Sequence, residues 1–287
     1  MSEYFVESEE RTGHRYGRVL VLRGPWKPEF ASYMGREGID GLRLSASVGW
    51  KGADLQVLSE LSFLRSLEIY SQEVRDCSVI GSLKELRLLG LECDLRGSID
   101  FEPLAKLEVV KVTWAKALEG VLRCEQVSHF NVSNWPDLDL FRLAQLIRLR
   151  ELLVTSRKLD SLRGISVFNL LERLDLHGCP KLTTLEGVDS CRRLTSFSLS
   201  ACEAVGDVSV LASLTGLREV ELDSCGEIRS LSPLAALRGL ERLSFDGDTR
   251  ILDGDLSFIE ALPALRTLVF APRRSYNRTR TELMSAK

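Results

Sequence analysis

Hydrophobic residues, mostly leucine, recur along this chain in a short frame whose apolar positions are separated first by two residues and then by one. The frame reads Leu171-Glu-Arg-Leu174-Asp-Leu176, and it returns at Leu194, Leu217 and Leu240, each time after a step of 23 residues. The last two apolar positions alternate with polar ones, which is the pattern of a strand with one buried face. The pattern therefore predicts one short β-strand in each repeat.

The frame continues outward from these four repeats in both directions. Further matches begin at Ile39, Leu64, Leu83, Leu107, Val127, Leu149 and Leu265, and a weaker one begins at Tyr16. The steps fall on or near the 20–29 residues that are typical of leucine-rich repeats. Since a single repeat cannot bury its own leucine face, we expect neighbouring repeats to stack on a shared core.

The sequence resembles the leucine-rich-repeat family over almost its whole length. The family pattern continues to an Asn or Cys, and Cys179, Cys202 and Cys225 occupy that position in three consecutive repeats. Residues 207–214 and 230–237 are similar to the bacterial internalin-like subtype. The resemblance implies an α/β fold, a right-handed solenoid or horseshoe, with a parallel β-sheet on the concave face and 3₁₀ turns or short helices on the convex face.

Polar segments flank the repeats at both ends. We expect residues 1–38 to form an N-terminal cap, which includes a degenerate first repeat from residue 16, and residues 39–271 to form the array. Residues 272–287 carry Arg273, Arg274, Arg278 and Arg280 among few apolar residues, so we expect a basic, flexible tail there.

Composition narrows the range of functions. The net charge of −3 predicts no general attraction to nucleic acid. No stretch approaches the 18 or so apolar residues of a membrane span, and the N-terminus lacks the pattern of a secretory signal. The seven cysteines form no CxxC pair, which favours free thiols and a reducing, cytoplasmic setting. We expect the free protein to be a monomer.

The residues between the leucines of each frame define the predicted concave face, and two groups of them are candidate partner-binding residues. The central group offers aromatic and aliphatic anchors with polar neighbours, and its members are Tyr70, Leu89, Lys111, Trp114, His129, Asn131, Trp135 and Leu153. For Trp114 and Trp135, packing in the core is an equally good interpretation.

The second candidate group is acidic. Glu219, Glu221, Asp223, Asp246 and Asp248 fall on adjacent repeats and together predict a negatively charged patch that meets a basic partner surface. The nearby candidates are Arg173, Asp175, His177 and Arg242. The alternative interpretation is a solvated face that Arg173, Arg218 and Arg242 partly neutralise.

Catalytic and metal-binding patterns are weak. His177, Ser200 and Asp223 fall in one column, but the serine lies between the other two, whereas a hydrolase needs the histidine between serine and aspartate. The cysteine column is better explained by packed thiols than by a metal site. The sequence has no glycine-rich nucleotide loop, and we expect no cofactor.

These patterns predict a non-enzymatic module that binds a protein partner through its concave sheet, as an inhibitor, immunity protein or adaptor. One alternative is a structural or assembly scaffold that uses its sheet edge or its basic tail. A second alternative is hydrolase or ligand-binding activity near His177.

Overall fold

A computed structural model describes residues 3–8 and 17–285 of the chain. The chain divides into two compact units, Met1–Val132 and Ser133–Lys287. In both units each repeat supplies one short strand and then returns by a loop that usually contains a 3₁₀ turn.

The first unit is built on parallel strands that follow one another in chain order. They are β1 (Tyr4–Glu7), β2 (Arg18–Leu22), β3 (Ile39–Ser45), β4 (Ser66–Tyr70), β5 (Leu88–Glu92), β6 (Val109–Thr113) and β7 (His129–Ser133), the last of which ends at the boundary between the units. Strand β1 is the exception, since it pairs with β2 antiparallel.

A helix, α1 (Glu29–Glu37), packs beside β3 near the start of the chain. Phe30 and Met34 are its buried residues. The ring of Tyr4 lies against those of Phe30 and Tyr33, with centroids 5.4 and 5.2 Å apart. Aromatic contacts therefore join β1 to α1.

The degenerate first repeat has a strand, but its frame is displaced from the one predicted at residue 16. Tyr16 itself lies outside the described residues. Leu20 and Leu22 lie beside Leu42 and Leu44, where the predicted frame would have placed Val19 and Val21. The pairing also shifts by one residue between Arg18 and Val19, where β3 has an extra residue.

The second unit repeats the same arrangement. Its strands are β8 (Glu151–Thr155), β9 (Arg173–His177), β10 (Ser196–Ser200), β11 (Glu219–Asp223), β13 (Arg242–Phe245) and β15 (Thr267–Phe270), all parallel and in this order. Two very short strands, β12 (Glu227–Ile228) and β14 (Arg250–Ile251), pair separately in the return loops.

Short 3₁₀ helices form the return side of most repeats, as the sequence predicted. In the first unit they are Ala46–Val48, Gln56–Glu60, Ser78–Ser82 and Lys116–Arg123, and in the second they are Phe141–Gln145, Ile165–Val167, Val188–Ser190, Ser209–Ser213, Ser232–Ala236 and Ser257–Ala261. Buried leucines and isoleucines of these turns pack on the same core as the strands.

The 23-residue step is confirmed by the pairing of the strands. Leu174 lies beside Phe197, Phe197 beside Val220, and Val220 beside Leu243, all of them fully buried. A residue in the left-handed region follows three of these strands in turn, and Ala201 and Ser224 adopt it at φ 52° and 51° without being glycine. This turn sends the chain back into the core after each strand.

The frame predicted at Leu83 is wrong by three residues. Leu67 pairs with Leu89, so the repeat runs Leu86, Leu89, Leu91. The error arises because Leu88, which alternates with the core residues, completes a false match with Leu83 and Leu86. Leu83 instead ends a 3₁₀ turn.

The C-terminal segment packs on the last repeat, which differs from the flexible tail that its composition predicted. The Tyr276 ring lies against Phe245 and Phe270, and its hydroxyl accepts a hydrogen bond from the Ile251 amide at 3.2 Å. A short helix, α2 (Arg280–Ser285), follows and buries Leu283. Arg273 also donates to the carbonyls of Gly247 and Thr249, so polar contacts as well as these two apolar side chains hold the segment.

Candidate functional site

Each strand has one face toward the leucine core and another that carries the candidate binding residues, here called the open face. Between residues 151 and 246 of the second unit, the outward positions carry more carboxylates than guanidinium groups. The carboxylates are Glu151, Asp175, Glu219, Glu221, Asp223 and Asp246, and the guanidinium groups are those of Arg173 and Arg242. The excess is six to two, so this face is acidic.

Both arginines on this face have a carboxylate partner. Arg173 donates to Asp175 with an Nη2–Oδ2 distance of 2.8 Å, and Arg242 lies 3.7 Å from Glu219. The described residues show no ion pair for Glu221, Asp223 or Asp246. With six carboxylates and two guanidinium groups, these positions keep a net negative charge.

The acidic patch lies on neighbouring strands, as the sequence predicted. Glu219 and Glu221 lie beside Arg242 and Ser244 on β11 and β13, and Asp223 is exposed at the end of β11. Asp246 and Asp248 follow β13, and Asp248 is exposed. The five carboxylates therefore come from two adjacent repeats.

Next to the patch, strand β10 presents only serines outward. Ser196, Ser198 and Ser200 lie between the charged residues of β9 and those of β11. Short side chains here leave the flanking groups accessible from the side. Of the other predicted residues, His177 is exposed, and Leu153 is half-buried beside Asp175.

His177, Ser200 and Asp223 form a column, as predicted. Ser200 lies in the middle, and this order argues against catalysis. Ser200 pairs with His177 on one side and with Asp223 on the other. The histidine is therefore not placed between the serine and the aspartate, which a hydrolytic triad requires. Among the residues described, no group of three or more histidine, cysteine or acidic side chains is arranged to hold a metal ion.

The open face of the first unit carries a more closely packed charge cluster. Arg43 contacts Glu68 through its Nε at 2.7 Å and Glu7 through its Nη1 at 2.7 Å. The hydroxyl of Tyr70, a predicted site residue, donates to Glu68 at 2.8 Å. Burial and the neighbouring Glu68 together raise the pKa of Tyr70 above its ordinary value. We refer to these four residues as the Arg43 cluster.

In the frames that begin at Ile39 and Leu64, Arg43 and Glu68 occupy the same position, in one column, although neither is among the candidate binding residues. Their opposite charges in adjacent repeats were the available signal. Gly90 is the third member of that column and allows the cluster to form, because a Cβ there would lie 2.9 Å from the Tyr70 hydroxyl and 3.0 Å from Cγ of Glu68. The false frame at Leu83 hid this glycine.

Four other predicted residues of the first unit are half-buried on or near the open face. Lys111 lies beside Gly90, and Asn131 lies on β7. The Nδ1 atom of His129 is 2.8 Å from the Ser128 hydroxyl. Trp114 is also half-buried, directly after β6.

The side chains of two predicted site residues are buried in the core and do not lie on the open face. Leu89 is fully buried between Leu67 and Val110, so it belongs to the core and not to the open face. Trp135 is 1% exposed, and its indole N–H donates to the Asp139 carbonyl at 2.9 Å. For Trp135 the core interpretation is therefore confirmed.

Behind the open face, a column of thiol and hydroxyl groups joins successive repeats of the second unit. Cys202 and Cys225 lie 3.5 and 3.4 Å from carbonyl oxygens of the preceding strands. Thr249 continues the column, since its hydroxyl donates to the Leu222 carbonyl at 2.7 Å. Burial raises the pKa of the Cys225 thiol to about 12, which suits an inert packing role.

Comparison with solved structures shows the same architecture. The functional domain of InlJ from Listeria monocytogenes, described as including a cysteine ladder, superposes with a TM-score of 0.55 at 16% identity over 85% of this chain. The internalin inlF from Listeria monocytogenes gives 0.53 at 19% identity over 90% of this chain and 83% of its own. This chain has the leucine-rich-repeat fold of the internalins.

A third leucine-rich-repeat structure, of a TDR receptor, gives a TM-score of 0.52 at 14% identity over 86% of this chain and 49% of its own. The chain spans 56% of the InlJ domain. At these identities the similarity establishes the fold. No protein-family model matches the sequence, and the search of curated proteins also finds no match. None of the described helices is long and apolar enough to cross a membrane.

Proposed function

We propose that this leucine-rich-repeat chain is a non-enzymatic module that binds a protein partner with a basic surface on the open face of its second unit. The observation that supports this most is the acidic patch, in which Glu221, Asp223 and Asp246 carry charge that neighbouring arginines leave uncompensated. Such a face speeds the encounter with a positively charged partner and selects against acidic ones.

The open face also has the physical form of a binding surface. Parallel strands about 4.8 Å apart present short and long polar side chains on a rigid support, which limits the entropy lost on binding. In this proposal the chain acts alone on its partner, as an inhibitor, immunity protein or adaptor in the cytoplasm. The seven unpaired cysteines suit a reducing compartment.

The test begins with the partner that co-purifies with the intact chain from its native host, identified by mass spectrometry. Its dissociation constant is then measured by calorimetry for the native chain and for the triple variant Glu219→Lys, Glu221→Lys, Asp223→Lys. We expect at least a hundredfold loss of affinity, because attraction is replaced by repulsion across the interface.

A matched control keeps the same change in net charge away from the open face. Glu186, Glu203 and Glu227 are exposed on the return loops of the second unit. The triple variant Glu186→Lys, Glu203→Lys, Glu227→Lys should bind within threefold of the native chain. Equal affinity of the native chain and the open-face variant would refute the proposal.

A further inference from the structure

The last strand of the second unit has one edge without a strand partner. Within the described part of the chain, β15 pairs with β13 alone, and it is the last strand of its sheet. The Thr267 amide donates to Glu241 on the β13 side. Backbone groups alternate in direction along a strand, so the amide and carbonyl of Leu268 face the other edge. That edge is a template for one more strand.

A cleft of about 510 Å³ runs beside this edge. Residues 266–269 of the strand region line one side, and Arg280, Thr281, Met284 and Ser285 of α2 line the other. Helix α2 contacts β15, but none of the backbone hydrogen bonds of the described residues joins the two elements. The helix therefore packs on the core next to β15, and the outer edge of β15 remains without a strand partner in the described part of the chain.

The apolar residues of this last repeat are less well covered than those before them. Leu268 and Phe270 are 4% and 7% exposed, whereas the equivalent Leu243 and Phe245 are 0% and 1% exposed. Met284 is half-buried in the cleft. An added strand with apolar side chains on its core side would complete this burial.

The charge of the cleft favours an acidic occupant. Arg266 and Arg280 both line it and are exposed. Neither arginine forms an ion pair within the described part of the chain, and Glu260 pairs with Arg278 instead. Guanidinium groups bind carboxylates in a two-pronged geometry.

We propose that the β15 edge binds an extended peptide segment in which acidic and apolar residues alternate, by adding it to the sheet as a further strand. Main-chain hydrogen bonds to Leu268 hold the segment, its apolar side chains meet Leu268 and Met284, and its carboxylates meet Arg266 and Arg280. This site is separate from the open face and goes beyond the function proposed above.

The test uses the full chain and a fluorescein-labelled hexapeptide of alternating glutamate and valine. We expect saturable binding by fluorescence anisotropy, and slower hydrogen exchange at the Leu268 amide when the peptide is bound. The variant Arg266→Glu, Arg280→Glu should bind at least tenfold more weakly. The exposed control pair Arg193→Glu, Arg238→Glu should bind within twofold of the native chain.

A second probe separates strand addition from simple charge attraction. The same hexapeptide with alternate backbone nitrogens methylated keeps its charge but loses donors for the sheet, and should bind at least tenfold more weakly. Equal binding of both peptides, no saturable binding, or insensitivity to the Arg266 and Arg280 changes would each overturn the proposal. The open-face triple variant should bind the peptide normally, so the two proposals fail independently.

Discussion

Glu68 is a buried charged side chain, and the loss of its partners would strongly lower the stability of the first unit. Its side chain is 3% exposed, and it depends on Arg43 and Tyr70 for its ionic and hydrogen-bonding partners. Removing one member of a buried pair leaves the other charge desolvated and uncompensated. The Arg43 cluster therefore favours a fixed arrangement of β1, β3 and β4.

We predict that Arg43→Met lowers the free energy of unfolding by about 3 kcal/mol, because the buried Glu68 then loses the guanidinium group of Arg43. The double variant Arg43→Met, Glu68→Leu should recover at least half of that loss, since the more deeply buried of the two carboxylates is removed together with the guanidinium group. Urea unfolding monitored by circular dichroism measures both. A double variant that is less stable than Arg43→Met would contradict this account.

The pairing of Arg43 with Glu68 was within reach of the sequence, since the two residues share a column in adjacent repeats. The orientation of Trp135 was not, because an aromatic residue at the bend after a strand can turn either way. What decides it is the Asp139 carbonyl, which receives the indole hydrogen bond. That partner depends on the local path of the chain.

Among the elements, helix α2 packs on the last repeat through a small apolar contact. Its N-terminus is capped by Thr279 and Glu282. The Thr279 amide donates to the Glu282 carboxylate at 2.7 Å, and the Glu282 amide donates to the Thr279 hydroxyl at 3.3 Å. Leu283 supplies the buried contact. The helix is too short to be stable without that contact.

We predict that Leu283→Ala releases α2, because truncating a buried leucine typically costs 2–5 kcal/mol. Hydrogen exchange should accelerate at least tenfold for residues 276–285 and remain unchanged for β9 and β10. Thr281→Ala, at an exposed position of the same helix, is the control and should leave exchange as it is. Retained protection of the segment in Leu283→Ala would show that other contacts hold it.

The frame of some repeats could be predicted from the sequence pattern, and the frame of another could not. The four repeats that begin at Leu171, Leu194, Leu217 and Leu240 were predicted correctly, since only one frame fits each of them. In the repeat containing Leu83 a surplus outward leucine creates two overlapping frames. Only strand pairing separates them, because it joins residues far apart in the sequence.

At the scale of the whole molecule, stability is shared between neighbours. Each repeat buries its leucines against the next, so a repeat array behaves as a chain of nearest-neighbour interfaces. In the second unit, Leu174 is buried with strands paired on both sides of it. A charge there disturbs two interfaces at once.

We predict that Leu174→Asp abolishes cooperative folding of the second unit well beyond its own repeat, because an unpaired carboxylate would lie in a shared core. The matched control Ser196→Asp adds the same charge to the outward face of the adjacent strand, between Arg173 and Glu219. It should change stability by less than about 0.5 kcal/mol. Differential scanning calorimetry distinguishes the two, and a native-like transition for Leu174→Asp would show that the assigned strand faces are wrong.

The constant 23-residue step between residues 171 and 240 also has an evolutionary and engineering consequence. Because Leu174, Phe197, Val220 and Leu243 are equivalent in position, copying or deleting one whole 23-residue block returns every core residue to an equivalent place. Loss or gain of a single residue within a strand would instead reverse its buried and outward faces. Duplication or deletion of a whole repeat would thus lengthen or shorten the open face while preserving the core.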